Sequence, residues 1–349
     1  QCNTTFTAQT TYSTGSHPRS LTAADVNGDG KPDIIVANHV SNNVGLLLNI
    51  GNGTFAAQTT YLTGTGPAIV AAVDVNGDGK PDIIVTDYYS SNICVFFNTG
   101  NGTFSAQTSY PTDTYPNVVV AADVNGDGKP DIIVANYGSN NVGVLLNIGN
   151  GTFAAQTTYS TGTSPTTVAA ADVNGDGKPD IIVTNYGSNN VGVLLNIGNG
   201  TFSAQTTYST GSGSNPYYVT AADVNGDGKS DIIVANYGSN NVGVLVNTGN
   251  GTFPAQTTYS TGTNPAAVAA ADVNGDGKPD IIVANHGSNN VGLLLNIGNG
   301  TFAAQATYST GSGSNPYYVV AADVNGDGKP DISVANYGSN NIGVLLNHC

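Results

Sequence analysis

Apolar residues in this chain come in short runs such as Asp-Ile-Ile-Val and Val-Gly-Val-Leu-Leu, each closed within a few positions by Gly, Asn, Ser or Pro. Runs that short and that often broken cannot sustain an amphipathic helix, and their Val, Ile, Leu, Ala and Tyr predict strands. In one representative stretch, residues 167–172 predict a strand of small residues, 180–185 a second strand, 186–190 a turn and 191–196 a third strand. An Ile-Gly-Asn-Gly turn then leads into a fourth strand over 201–210. The second and third strands are apolar on both sides, as expected of strands packed between two neighbouring sheets.

The pattern recurs along the whole chain. A nine-residue phrase, Asp-x-Asn-Gly-Asp-Gly-Lys-x-Asp, starts at Asp25, Asp74, Asp123, Asp172, Asp223, Asp272 and Asp323, at spacings of 49, 49, 49, 51, 49 and 51 residues. Such a period marks a repeat array and not a set of unrelated domains. The expected fold is all-β: a seven-bladed β-propeller of four-stranded antiparallel blades, forming one domain over residues 1–349. Its two ends fit ring closure. Residues 3–12 read like the fourth strand of a unit and the chain stops after a third strand, so the N-terminal strand is expected to complete the last blade. In that register Cys2 and Cys349 fall on one turn, where a disulfide would fasten the ring and contribute about 4 to 5 kcal/mol. Cys94 replaces a strand glycine and reads as a buried free thiol.

Charge sharpens this picture. The 349 residues carry a net charge of −15, with no Glu, and all the Asp but Asp87 and Asp113 lie in the seven phrases, as does every Lys. Three carboxylates against one ammonium leave a net charge of about −2 in a single bend, and the carboxylates repel one another unless a further cation sits among them. Alternating oxygen side chains with Gly at the bend is how a loop wraps a hard divalent cation, and calcium, up to seven ions, is the expected cofactor. Seven such ions would leave the chain close to neutral, so its acidity does not call for a basic partner. An EF-hand is excluded because the twelfth loop position is Val36, where Glu is needed, and because the flanks are strands. Magnesium would keep several waters in octahedral geometry, and zinc lacks a His and Cys cluster. With one Arg and seven Lys, nucleic acid is not an expected partner, and no apolar run reaches membrane-spanning length. The chain starts with Gln and has no Met, which reads as a mature, secreted, extracellular form whose signal peptide has been removed.

Loop, flanking strands, period and copy number together resemble the FG-GAP, or VCBS, repeat family, whose best-known members are the seven-bladed propellers of integrin alpha chains. The resemblance implies metal ligands at loop positions one, three, five and nine, with a backbone carbonyl at seven. On this sequence those are Asp25, Asn27, Asp29, Lys31 and Asp33; Asp74, Asn76, Asp78, Lys80 and Asp82; Asp123, Asn125, Asp127, Lys129 and Asp131; and Asp172, Asn174, Asp176, Lys178 and Asp180. They continue with Asp223, Asn225, Asp227, Lys229 and Asp231; Asp272, Asn274, Asp276, Lys278 and Asp280; and Asp323, Asn325, Asp327, Lys329 and Asp331. All seven loops are intact here, whereas integrins keep only some, which shifts weight from a specialised receptor towards metal-stiffened structure.

The resemblance also implies that ligands meet the face opposite the metal loops. That face carries one aromatic per unit, at His39, Tyr88, Tyr137, Tyr186, Tyr237, His286 and Tyr337, read as packing between blades with a stacking platform as the alternative. The most individual segments supply the candidate ligand contacts Asp87, Tyr88, Tyr89, Asp113 and Tyr115, and the longer loops add Tyr217, Tyr218, Tyr317 and Tyr318. Asn-x-Thr sequons at Asn3, Asn52, Asn101, Asn150, Asn199, Asn250 and Asn299 are candidate glycosylation sites, although Asn-Gly is also what a tight hairpin requires. No nucleophile-base set is evident, so the expectation is that the protein is not an enzyme. Two readings remain. One is an extracellular recognition or adhesion module with a protein or glycan ligand, lectin-like because the Gly-Asn-Gly-Thr-Phe turn also occurs in fungal propeller lectins; the other is a self-assembling structural subunit of an extracellular glycoprotein matrix or fibre.

Overall fold

The computed structural model describes residues 5–348. Cys2, Cys349 and Asn3 lie outside the described residues, and with them the expected disulfide and the first sequon. Among the described residues there is no helix, and the strands form seven four-stranded antiparallel sheets.

Blade four shows how each sheet is built. Its strands are Pro165–Ala171, Asp180–Asn185, Asn190–Leu194 and Thr206–Ser209, hydrogen-bonded in that order. The expected continuous fourth strand over 201–210 is instead broken. Thr201–Phe202 folds back on Asn196–Gly198 as a small hairpin, and the outer strand begins only at Thr206. Residues 203–205, Ser-Ala-Gln, carry no strand and form the break. Gln205 lays its side chain over Gly192 of the third strand, where a Cβ would come within 2.1 Å of the Gln205 Oε1. In blade two Cys94 stands at that glycine position, buried and free, and its thiol donates to Asp87 at 2.8 Å.

The ring closes as the terminal sequences imply. Thr10–Ser13 pairs antiparallel with Asn341–Leu345, with Thr10 opposite Val344 and Tyr12 opposite Ile342, and Phe6 bridges to Asn347.

First strands of successive blades lie against one another around the axis, and the hydrophobic core sits between blades. At one such seam Val173, Ile182, Val191 and Val193 of blade four meet Val219, Ile232, Val234 and Leu245 of blade five. Two further devices recur at the seams. A tyrosine of each outer strand meets a hairpin phenylalanine of the next blade edge-on, as in Tyr159–Phe202 and Tyr208–Phe253, at centroid distances of 5.3–5.5 Å, and Tyr308–Phe6 closes the series. The asparagine two residues beyond each third strand also donates its Nδ2 to a backbone carbonyl of the preceding blade. These contacts, Asn196 to Val124 among them, measure 2.8–2.9 Å. No described helix is long and apolar enough to cross a membrane.

Candidate functional site

The two faces of the ring carry different chemistry. At one face the nine-residue phrases join first and second strands. In the loop of residues 25–33, Asp25 Oδ1 accepts from Gly28 N at 2.7 Å and Oδ2 from Gly30 N at 2.7 Å, while Asn27 Oδ1 accepts from Asp29 N at 2.9 Å. Gly28 and Gly30 sit at φ +79° and +82°, a conformation in which a side chain would be strained. Asp29 accepts both the Lys31 backbone N–H and its ammonium, at 3.0 and 2.9 Å. Lys80, Lys129, Lys178, Lys229 and Lys278 make the same contact at 2.9–3.2 Å. The hydrogen bond from the Lys31 ammonium is the main reason the Asp29 carboxyl is held below its ordinary range.

The ninth-position aspartate does something else. Asp180 is fully buried, with Oδ1 accepting from Asn196 N at 2.7 Å and Oδ2 from Val173 N at 3.0 Å. It thereby joins the start of the loop to the seam asparagine. Burial raises its pKa, as it does for the equivalent Asp280, which is pushed up to about 6. The donor set at positions one, three, five, seven and nine is all oxygen, which suits a hard cation. As the side chains stand, no group of three or more His, Cys, Asp or Glu among the described residues is arranged to hold an ion, since their oxygens face the loop's own N–H groups and the lysine. The six described sequon asparagines are exposed, at left-handed hairpin tips beside this face, as Asn101 is beside the loop of Asp25.

At the opposite face the channel opens into an aromatic mouth. The residue six positions before each phrase lies on a first strand and is Arg19, Ala68, Asn117, Thr166, Tyr217, Ala266 or Tyr317, different in most blades although the blades are otherwise near-identical. Tyr217 and Tyr317 reach across blade six and bond hydroxyl to hydroxyl, and Tyr218 and Tyr318 do the same one residue deeper at 2.6 Å, above the small Ala267. That half of the channel is plugged. The other half holds a cavity of about 230 Å³ lined by Arg19, Asn117, Thr166 and Tyr217 from the first strands, and by Tyr88, Tyr137 and Tyr186 from the second-strand ends. Arg19 Nη2 donates to Asn117 Oδ1 at 2.6 Å, and its guanidinium lies 5.3 Å from the ring centre of Tyr88 and 5.5 Å from that of Tyr317. Burial pushes the Tyr88 hydroxyl up to about 12, so it stays protonated and able to donate. On the rim, Tyr115 stacks on Tyr88 at 5.0 Å and 18°. Tyr115 is held at φ 57°, uncommon for a bulky residue, in the register where blade one has His17 at 56°.

The predicted contact residues therefore separate. Tyr88 and Tyr217 line the cavity, Tyr317 covers Arg19, and Tyr89 and Tyr115 are exposed on the rim. Tyr218 and Tyr318 are plugs, not loop contacts. The two extra residues in each longer loop form a turn before Pro216 and Pro316, so both tyrosine pairs enter the first strands in ordinary register. Asp87 is no surface contact either. It is fully buried, accepting from Gly64 N at 2.9 Å and from Cys94. Asp113 accepts from Asn141 at 2.7 Å and braces a turn. The per-blade aromatics, read as packing, do contact one another around the mouth, but Tyr88, Tyr137 and Tyr186 also present surface to the cavity. Sequence reasoning missed Arg19, Asn117 and Thr166, which only a comparison of the seven copies at one position would have exposed.

A family model for FG-GAP-like repeats matches residues 3–36, 25–85, 74–134, 123–183, 172–234, 223–283 and 272–334. No curated protein matches the sequence. Among solved structures, a streptogramin B lyase shares the ring over 98% of both chains, at 16% identity and a TM-score of 0.72. Virginiamycin B lyase from Staphylococcus aureus does so over 99% of both, at 16% identity and a TM-score of 0.68. An Agrocybe aegerita lectin that recognises non-reducing terminal N-acetylglucosamine matches at 22% identity and a TM-score of 0.61, over 94% of this chain and 84% of the lectin. These likenesses establish the fold. They also correct the expectation that this protein is not an enzyme, because the same scaffold serves a lyase. A propeller carries its chemistry on side chains grafted at the mouth, so neither the fold nor the missing Glu excludes catalysis.

Proposed function

Because the chain belongs to the FG-GAP-like repeat family, we propose that it is a secreted recognition propeller, stiffened by calcium at one face, that takes a glycan at the tyrosine-lined mouth of the other. The observation that carries this reading is the cavity itself. In an array of near-identical blades, it is where differing residues converge, and Tyr88, Tyr137 and Tyr186 offer ring faces and hydroxyls suited to a sugar. The lectin with the same fold supports glycan recognition as within the scaffold's range. Extracellular location is supported by the exposed sequons and by loops whose oxygen donors suit calcium at extracellular concentrations.

Calcium would be held by the side chains at positions one, three, five and nine and the carbonyl at seven, and would supply positive charge among three carboxylates. To bind, it must compete with the lysine ammonium on the fifth-position aspartate. Metal analysis of the purified protein tests this part, and the absence of stoichiometric calcium would refute it. A glycan array on the calcium-loaded protein tests the other part, with selective binding expected to weaken at least about tenfold in Tyr186→Ala. Binding to no glycan, or binding indifferent to Tyr186, would refute the mouth as the site.

A further inference from the structure

Arg19 is the only cationic side chain, histidines apart, outside the seven loops, and it sits inside the ring of a protein with a net charge of −15. A guanidinium withdrawn from water is costly unless it is paired. Among the described residues no carboxylate lies within ion-pair distance of it; its partners are the neutral Asn117 oxygen, the hydroxyls of Tyr217 and Tyr317, and the faces of Tyr88 and Tyr317. Those contacts hold the guanidinium in place, but all are neutral and none supplies a counter-charge. Asn117 is itself fixed, donating Nδ2 to the Thr166 carbonyl at 2.6 Å. The result is a positioned, uncompensated cation with planar donors, at the wall of a cavity open to solvent.

We propose that Arg19 anchors a carboxylate-binding subsite, and that the sugar accepted at the mouth is an acidic one, a uronic acid or another carboxylated sugar. This rests on the recognition reading above and adds the ligand's charge to it. The guanidinium fork matches a carboxylate with two parallel N–H donors, which a neutral sugar cannot use equally well. The tyrosines face the remainder of the ligand, and a cavity of about 230 Å³ suits a single sugar ring more than a long chain or a folded partner. A carboxylate here would also supply the counter-charge that the chain itself does not.

The test uses the full, calcium-loaded protein and three probes: glucuronate, glucose and N-acetyl-aspartate. Tyrosine emission can report binding directly, since the chain has no Trp. The expected result is saturable binding of glucuronate, at least about tenfold weaker binding of glucose, and a similar loss of glucuronate affinity in Arg19→Gln. Should Arg19→Gln fail to fold, Asn117→Asp keeps the arginine and sets a carboxylate against it; the folded variant is expected to lose glucuronate binding. Unchanged glucuronate affinity in the folded variant, glucose binding as tight as glucuronate, or no binding of glucuronate up to about 20 mM would each overturn the proposal. N-acetyl-aspartate binding as tightly as glucuronate would overturn the assignment to a sugar. If neutral sugars bind and their binding depends on Tyr186 but not on Arg19, the acidic subsite fails while the mouth remains a recognition site. If no sugar of either kind binds, both readings fail.

Discussion

Replacing Asn196 with Ala isolates the device that ties one blade to the next. Its side chain is buried, Nδ2 donates to the Val124 carbonyl of the preceding blade at 2.9 Å and to the Pro179 carbonyl at 3.1 Å, and Oδ1 accepts from Gly198 N at 2.9 Å. Three hydrogen bonds at about 1 kcal/mol each give an expected loss of about 3 kcal/mol. The Val124 carbonyl keeps Gly200 N at 3.2 Å, so it is not stranded. For a chain of 349 residues the unfolding entropy is about 0.7 kcal/mol/K, and the melting temperature should fall by about 4 °C. Asn196→Asp sharpens the test. Its carboxylate would face two carbonyl oxygens with nothing to donate, and should cost at least about 1 kcal/mol more than Ala. Differential scanning calorimetry of the two variants at neutral pH decides the matter. An Asp variant that melts at or above the Ala variant would show that the amide does not donate across the seam.

Three further outcomes are expected. Asp176→Ala should lower the melting temperature in saturating calcium by far less than chelation of the whole protein does. One site contributes about 2.7 kcal/mol at a hundredfold excess of ion over Kd, and an equal effect of the two treatments would contradict independent sites. His39, half-buried with Nδ1 donating to the Pro67 carbonyl at 3.1 Å, is held down to about 4 by burial and by Arg19. Its folded pKa lies below the unfolded value, so its contribution is complete above pH ~6.5 and is lost as pH falls from there towards 4. The loss is about 1 to 2 kcal/mol after allowing for solvent, and melts of His39→Tyr should be less sensitive to acid over that window. Parallel curves for the two proteins would refute this. Gly192→Ala should destabilise by about 1 to 3 kcal/mol, because the new methyl meets Gln205, and a second change, Gln205→Ala, should recover most of the loss; additive costs would contradict the contact.

Repetition made the scaffold legible. Strand pattern, period, ring closure and the cation-type loop all follow from copies that agree, and the first three are the observed architecture. What stayed hidden has physical causes. The outer strand is interrupted only at Ser203-Ala204-Gln205, a gap too short to read as a loop between Thr201–Phe202 and Thr206–Ser209. The seam residues Asn196, Tyr159 and Phe202 are constant in every unit, so sequence gave no contrast between a residue that ends a strand and one that joins two blades. The ninth-position aspartate was legible as a candidate metal ligand but not as a structural tie. Its bonds to Val173 N and Asn196 N depend on a third strand passing behind the loop. Tyr217 and Tyr218 looked like loop residues because two inserted residues precede them, although the turn absorbs the insertion before the strand begins.

Whether the variation at the mouth is neutral drift or selected fit can be decided by asking if the substitutions suit one another. Drift would scatter changes without regard to partners across the channel. Here the large residues Tyr217 and Tyr317 stand on blades five and seven and meet over blade six, whose equivalent residue is the small, buried Ala266. Across blade two, Arg19 of blade one donates to the Asn117 side chain of blade three at 2.6 Å, a pairing that depends on both residues. Such coordination predicts that residues acceptable in one blade are not acceptable in another. Ala266→Tyr, which introduces the residue of both neighbouring blades, should overfill the plugged half and cost about 1 to 3 kcal/mol. Ala68→Tyr instead meets the Arg19–Asn117 pair that spans blade two, which borders the open cavity and has room to give way, and should cost less. Equal melting temperatures for these two variants would mean that the mouth residues are interchangeable, and would remove the argument that their arrangement was selected for a ligand.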